Sequence, residues 1–328
     1  MSTPPPEILM AIIHELTADT PPSAYTFSSE VKSTLRSLTL VSYSCHELST
    51  PPLYGRVTVA QDEIARLKAT LSPATPRASS LTKQIHTLRL TVPYTDSFVQ
   101  TVDPEDWAVQ DMDVAEAAAL LHLLAPHASL KRLFVDMALI CDSPYSLHLR
   151  YSDLHNAISS ITSLSELVLG NLEDRTNDFF WMIELDGHPY DCFAVLETVT
   201  ILDVNVEDPP IRDVFRRLAN VKEMVLIRPW LTDLDIGGEV LADLFSPGRG
   251  LQSLIIVLAS GWDLMPLQQL TIDDLGPVMV PHRDKVLILS ESEAQGTLLS
   301  WETIRDMIGM GRAVLNGMSD RLLYAPAL

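Results

Sequence analysis

A short apolar phrase recurs along the chain: an apolar residue, two others, an apolar residue, one other and a last apolar residue. Six copies lie between residues 85 and 256, and their starts are 25 to 45 residues apart. The alternation at the end of each copy predicts a short β-strand. The copies are Ile85–Leu88–Leu90, Leu130–Leu133–Val135, Leu164–Leu167–Leu169, Leu196–Val199–Ile201, Val221–Met224–Leu226 and Leu251–Leu254–Ile256.

Segments with helical spacing of apolar residues separate these strands. Two further strands are predicted, at Arg56–Ala60 before the copies and at Lys285–Leu289 after them. Strands joined through single helices imply right-handed crossovers and a parallel sheet. The predicted helices span residues 114–125, 154–161, 211–218, 238–245 and 267–275, with a last one at 300–315.

A repeat of this size cannot bury its own apolar face, so it must stack on its neighbours. The sequence therefore predicts an α/β fold. Residues 61–328 would form an irregular leucine-rich-repeat-like solenoid with a parallel sheet, and the helix at 300–315 would cap its open end. A closed α/β domain is the alternative, although doubly wound strands are usually uniform apolar runs.

The first sixty residues follow a different pattern, that of three short helices. In the first, which starts near Glu7, apolar residues from Ile8 to Leu16 fall on one face. The second spans residues 29–41, and Ser28 or Ser29 can cap it. The third covers residues 44–48 and ends before Pro51. Helices this short bury little apolar surface, so we expect them to pack on the strands that follow.

These residues resemble the F-box-like motif that opens many fungal proteins. The resemblance rests on Pro5–Leu9 followed by Ile12, on Leu35–Ser42 and on Pro51–Tyr54. The chain departs from the motif where Pro5 replaces the usual leading leucine and Cys45 stands near the usual tryptophan.

The resemblance implies a protein-interaction function. In that family the helices dock on the small acidic adaptor of cullin-RING ubiquitin ligases, and the repeats select the client. A cap on the solenoid, within a stand-alone scaffold, is the alternative role for the same helices. The implied adaptor-facing or supporting residues are Pro6, Ile8, Leu9, Ile12, Leu40, Val41, Leu53 and Tyr54.

The net charge of the chain limits the classes of partner that we expect it to bind. The chain has 328 residues, 23 basic and 43 acidic, and a net charge of −20. A general nucleic-acid binder needs a basic face, and an anionic membrane also attracts basic proteins, so neither is predicted as a partner. The same balance favours a basic client protein.

The three cysteines, Cys45, Cys141 and Cys192, form no CxxC pair and predict buried thiols in a reducing compartment. The N-terminus has no basic region or cleavage site typical of a signal peptide. We therefore expect a cytoplasmic or nuclear protein.

Two insertions between strands are candidates for partner-specific surface. Residues 92–113 are acidic, and residues 176–193 are rich in aromatic side chains. Within the second, Phe179, Phe180 and Trp181 are candidate client-binding residues, because aromatic anchors dominate interfaces. A place in the core is the other interpretation of these three residues.

No motif predicts catalysis, a metal or a cofactor. Phosphate loops and nucleophile elbows are absent from the sequence. His122 and His127 are five residues apart, whereas a metal pair on a helix prefers four. A divergent α/β enzyme that uses Asp203 or Asp273 is the third hypothesis. Asp273–Asp274 is more typical of a solvated face or a helix N-cap, and Asp233 and Asp235 of a helix N-cap.

Overall fold

Short parallel strands and helices make up the part of the chain that the structure, a computed structural model, describes. The chain divides into two compact units, residues 1–164 and 165–328. The described residues are 5–18, 20, 27–60, 63–73, 77–91, 107–136, 153–154, 156–170, 195–202, 204–218, 220–227, 229–231, 233–258 and 270–290.

The first unit begins with three helices and continues into three strands. Strand β1 pairs with β2, and β2 with β3, each time in parallel. In the chain, helices α4 and α5 lie between β1 and β2, and helix α6 lies between β2 and β3. The three helices pack on one another. The elements are α1 Pro6–Ala18, α2 Ser29–Leu38, α3 Tyr43–Gly55, β1 Arg56–Ala60, α4 Ile64–Leu71, α5 Ala78–Gln84, β2 Thr87–Thr91, α6 Trp107–Leu124, a 3₁₀ turn Ala125–His127 and β3 Arg132–Asp136.

The described part of the second unit contains five strands that pair in chain order, again all in parallel. Two helices lie between them in the described residues. The elements are β4 Glu166–Gly170, β5 Thr198–Leu202, α7 Pro209–Arg217, β6 Glu223–Ile227, α8 Leu234–Asp243, β7 Ser253–Leu258, a 3₁₀ turn Val280–His282 and β8 Val286–Ser290. The predicted α/β class and parallel pairing are confirmed.

The apolar phrase sets the register of the strands. In the first unit Leu88 is paired with Leu133, and Leu90 with Val135. In the second unit Met224 is paired with Leu254, and the same rows continue through every pair from β4 to β7. Each phrase residue of these rows is at most 2% exposed. Burial of one leucine side chain contributes roughly 1.5–3 kcal/mol, so a slip by one residue would cost several such terms.

A repeated backbone contact stands before the strands. Before β3, β5, β6 and β7, two successive N–H groups donate to the carbonyl oxygen of one residue, which lies directly before the neighbouring strand. Lys131 and Arg132 donate to His86, Glu197 and Thr198 to Ser165, Lys222 and Glu223 to Glu197, and Gln252 and Ser253 to Lys222, at 2.7–3.1 Å.

Three local predictions are wrong. Helix α3 does not end before Pro51 but runs through Pro51 and Pro52 to Gly55. Residues 72–80 are predicted from the sequence to be a turn-rich spacer, but helix α5 begins within them, at Ala78. Residues 272–275 form a turn and not the end of a helix. This turn lies against α8, because a Cβ on Gly238 would come within 1.8 Å of the Leu275 carbonyl oxygen.

The second face of the sheet differs between the units. In the first unit it carries Arg56, Arg89 and Arg132, which are half-buried. In the second unit the positions of β6 and β7 that are equivalent to Arg89 are apolar, and Val225, Ile227, Ile255 and Val257 are fully buried. The positions equivalent to Arg56 and Arg132 are Glu223 and Ser253, which are half-buried. Strands β6 and β7 are thus buried on both faces, as in the uniform apolar runs of closed α/β domains.

Candidate protein-interaction surface

The three N-terminal helices have a small core of their own. Ile13 of α1, Phe27 and Leu35 of α2 are buried together, and Leu48 and Leu53 of α3 pack against them. Side chains also define the helix starts, since Ser28 accepts from the Val31 N–H and Ser42 from the Cys45 N–H, both at 3.2 Å. The predicted cap at Ser28 is confirmed.

This core leaves a group of large apolar side chains exposed. Of the ten large apolar residues that are exposed in the described part of the chain, six lie between residues 8 and 43. Leu40 and Val41, in the turn after α2, are 87% and 68% exposed. Scattered exposed apolar residues are ordinary, but such a concentration is typical of a region that contains an interaction site. We call these six residues the N-terminal apolar set: Ile8, Met10, Ile12, Leu40, Val41 and Tyr43.

The positions on α1 follow from helical geometry. Leu9 and Ile13 face the core, so Ile8 and Ile12, one position before each, lie together on one side of that buried stripe. Ile8 and Ile12 are 52% and 50% exposed. Met10 is 51% exposed and lies on the other side of the stripe, since it is displaced by about 160° from Ile12.

The residues that the F-box-like resemblance implies for the adaptor side differ in their exposure. Ile8, Ile12, Leu40 and Val41 are exposed, as is Pro6 at the start of α1. Leu9 is buried and Leu53 packs against the helical core, so both could act only by supporting the surface. Tyr54 is half-buried.

Two members of the N-terminal apolar set were not predicted. Met10 falls off the apolar face of α1, and Tyr43 follows directly after the Ser42 cap of α3. The run from Leu40 to Tyr43, apolar on both sides of one serine, is the signal in the sequence that could have indicated Tyr43.

Basic side chains lie beside these helices. Burial lowers the pKa of Lys32 on α2, and the positive charges of Arg36 and Arg89 lower it further, while Glu63 opposes them. Burial also lowers the pKa of Arg56, with a contribution from Arg132. The guanidinium of Arg56 lies 5.0 Å from the ring centre of Phe27. A region of concentrated positive charge thus exists within a chain whose net charge is −20.

Carboxylates that could have served catalysis have structural roles. Asp273 forms an ion pair with Arg283. Asp274 accepts from the hydroxyl and the N–H of Thr271 at 2.6 and 2.7 Å, and these hydrogen bonds lower its pKa. Asp233 accepts from the N–H groups of Asp235 and Ile236 at 3.1 and 3.0 Å, so the predicted N-cap of α8 is confirmed at Asp233.

Several predicted features lie outside the described residues. These are Asp203, the aromatic residues Phe179, Phe180 and Trp181, and the C-terminal helix at 300–315. Within the described ranges, no three His, Cys, Asp or Glu side chains are placed to hold a metal ion. None of the helices in those ranges combines the length and apolar character needed to cross a membrane.

No protein-family model matches the sequence, and no curated protein is significantly similar to it.

Proposed function

We propose that this chain is a protein-interaction module whose N-terminal helices dock on the adaptor subunit of a cullin-RING ubiquitin ligase. The observation that carries the proposal is the exposure of Ile8, Ile12, Leu40 and Val41. These are four of the positions that the F-box-like resemblance assigns to the adaptor side, and their exposure leaves apolar area that a partner would bury. An amphipathic helix that presents anchors at this spacing suits recognition in an apolar groove.

Local charge is consistent with such a partner. The adaptor in that family is acidic, and exposed Arg36 and half-buried Lys32 lie on α2, which packs against both α1 and α3. An acidic partner would therefore meet positive charge close to the apolar contact, which favours its correct orientation and fast association.

The remainder of the chain would act as an irregular leucine-rich-repeat-like solenoid that binds a client. Supporting this, strands pair in chain order within each unit, and a backbone contact of one form precedes four of the eight described strands. The buried second face of β6 and β7 is not open to a client. Client contact would instead use other surfaces, among them Phe179, Phe180 and Trp181, which stay a prediction.

The adaptor proposal is tested with the full chain and a purified adaptor subunit in a binding titration. Changing Ile8 and Ile12 together to aspartate should weaken binding by more than about 30-fold, since interface anchors contribute about 2 kcal/mol or more. Met10→Asp is the matched control, because Met10 is equally exposed on the other side of the same buried stripe. It should bind as the parent chain does.

The melting temperatures of both variants should equal that of the parent chain, because the side chains of Ile8, Met10 and Ile12 are half exposed. Adaptor binding that survives the double substitution, or that is absent from the parent chain, would refute docking. The stand-alone scaffold would then be the better proposal. It is favoured by the junction of α3 with β1, where the His86 N–H donates to the Gly55 carbonyl at 3.1 Å and α3 packs on β1.

A further inference from the structure

The turn between α2 and α3 carries the most exposed large apolar side chains in the described part of the chain. Leu40, Val41 and Tyr43 are 87%, 68% and 75% exposed, and all three belong to the N-terminal apolar set. Side chains that are this exposed receive little support from packing. Their positions therefore depend on how firmly the backbone of the turn is held.

Hydrogen bonds hold the first half of the turn to the end of α2. Three successive N–H groups of the turn donate to carbonyl oxygens in the last part of the helix: Thr39 to Leu35, Leu40 to Ser37 and Val41 to Leu38, at 3.1–3.2 Å. The Thr39 hydroxyl also donates to the Arg36 carbonyl oxygen at 2.6 Å. These bonds use carbonyl groups at the end of α2 that the helix cannot satisfy internally, and they fix the chain as far as Val41.

Ser42 closes the turn on its other side. Its backbone is extended, with φ −159° and ψ 167°, and its Oγ accepts from the Cys45 N–H at 3.2 Å. The Ser42 carbonyl oxygen accepts from the His46 N–H at 2.9 Å. Cys45 is buried, and its own carbonyl oxygen accepts from the buried Ser49 hydroxyl at 2.6 Å. Ser42 thus ties the exposed turn to the buried side of α3.

We propose that Ser42 is a positioning residue of the N-terminal apolar set, because its side chain holds Leu40, Val41 and Tyr43 in the arrangement that the partner binds. The inference rests on the proposed function, since it concerns the same surface and the same adaptor. Ordering a flexible turn upon binding costs conformational entropy, and a turn that is ordered beforehand avoids that cost. Ser42 acts through the backbone, so the role requires no contact between its side chain and the adaptor.

Ser28 offers a matched control for this role. It caps α2 as Ser42 caps α3, and it accepts from the Val31 N–H at the same distance, 3.2 Å. Ser28, however, lies at the opposite end of α2 from the exposed turn. Alanine at either position removes one cap hydrogen bond, so the two variants should lose similar amounts of stability. Only the change at Ser42 should loosen the turn.

The test is a binding titration of the full chain with the purified adaptor subunit, at a temperature at which every variant is folded. Ser42→Ala should weaken binding by about three- to tenfold, whereas Ser28→Ala should stay within about twofold of the parent chain. Ser42→Asn keeps a neutral acceptor at the cap and should restore binding to within about twofold of the parent. In the free chain, amide hydrogen exchange at residues 40–46 should be faster for Ser42→Ala than for the parent or Ser42→Asn.

If Ser42→Ala does not fold, Ser42→Gly replaces it and should weaken binding likewise, because glycine is tolerated at a helix N-cap but leaves the turn flexible. The role of Ser42 alone is overturned if the parent chain binds the adaptor and the alanine or glycine variant binds equally well. It is also overturned if Ser28→Ala weakens binding as much, or if Ser42→Asn does not recover it. A parent chain that does not bind the adaptor refutes the proposed function itself, and the role of Ser42 with it.

Discussion

Strands β1–β3 and strands β5–β7 share their buried leucine-type rows but differ on the opposite face. At equivalent positions in the phrase, β2 carries Arg89, whereas β6 carries Val225 and β7 carries Ile255. Arg89 is half-buried, with its guanidinium 4.9 Å from the ring centre of Phe134. Val225 and Ile255 are fully buried.

The repeated phrase thus contains two sets of positions with different effects on the fold. The fixed apolar positions set strand register in both regions, because their burial depends only on the period of the strand. The positions between them decide whether the second face can accept charge. Where they are apolar the face is buried, and where they include arginine it is amphipathic.

The largest expected effect comes from exchanging arginine and apolar residues between the second faces of the two regions. Val225→Arg should lower the free energy of unfolding by more than about 4 kcal/mol, because it places a charge at a fully buried position. Arg89→Val should cost only about 1 kcal/mol, chiefly the loss of its contact with Phe134. Urea unfolding followed by circular dichroism measures both. Equal stability of Val225→Arg and the parent chain would mean that the second face of β6 is open.

The second-largest expected effect concerns the buried leucine-type rows, which strands β1–β3 and β5–β7 have in common. Leu90→Ala and Leu226→Ala should each cost about 2–5 kcal/mol, because both remove a fully buried side chain from the same row of the phrase. Thr198→Ala, at a half-buried position of β5, should change stability by no more than about 0.5 kcal/mol. Urea titrations of the three variants provide the check. A small effect at only one of the two leucines would break the equivalence of the two regions.

The smallest expected effect tests the positive charge near the first region. Because the pKa of Lys32 is lowered, the unfolded chain binds this proton more readily. Its contribution to stability therefore rises with pH between the lowered pKa and the ordinary value near 10.5. At neutral pH Lys32→Met should raise the melting temperature by about 1–3 °C, since the cost of burying the ammonium group and the repulsion from Arg36 and Arg89 both disappear.

Lys222→Met is the control for this effect. Lys222 is exposed and pairs with Glu197 at 2.7 Å, so its replacement should leave the melting temperature unchanged or slightly lower. Scanning calorimetry at pH 7 and pH 10 measures both variants. A lower melting temperature for Lys32→Met at pH 7 would show that attraction by Glu63 outweighs the repulsion.

Much of the fold could be predicted because each copy of the apolar phrase occupies a short continuous stretch of the chain. Strands β1 to β8 lie at the predicted positions to within a few residues, and α7 and α8 overlap the predicted helices. Errors arose where tertiary packing overrode local preference. Helix α3 continues through Pro51 and Pro52, two residues that usually interrupt a helix.

The candidate surface was predictable only in part. Helical spacing and the F-box-like resemblance identified Ile8, Ile12, Leu40 and Val41, but neither could distinguish an exposed apolar residue from a supporting one. Leu9 and Ile8 are adjacent and equally apolar, yet only Leu9 is buried, because the direction of the core is set by α2 and α3.

The sequence by itself determined the strand positions, the parallel pairing and the register, since these depend on periodicity along a short stretch of chain. Tertiary structure alone decided which apolar side chains of the N-terminal helices stay exposed. It also brought Arg212, Arg216 and Arg249 to one cavity between α7 and α8, with residues up to 37 positions apart in the chain. Such properties depend on contacts between segments distant in sequence, which no local pattern encodes.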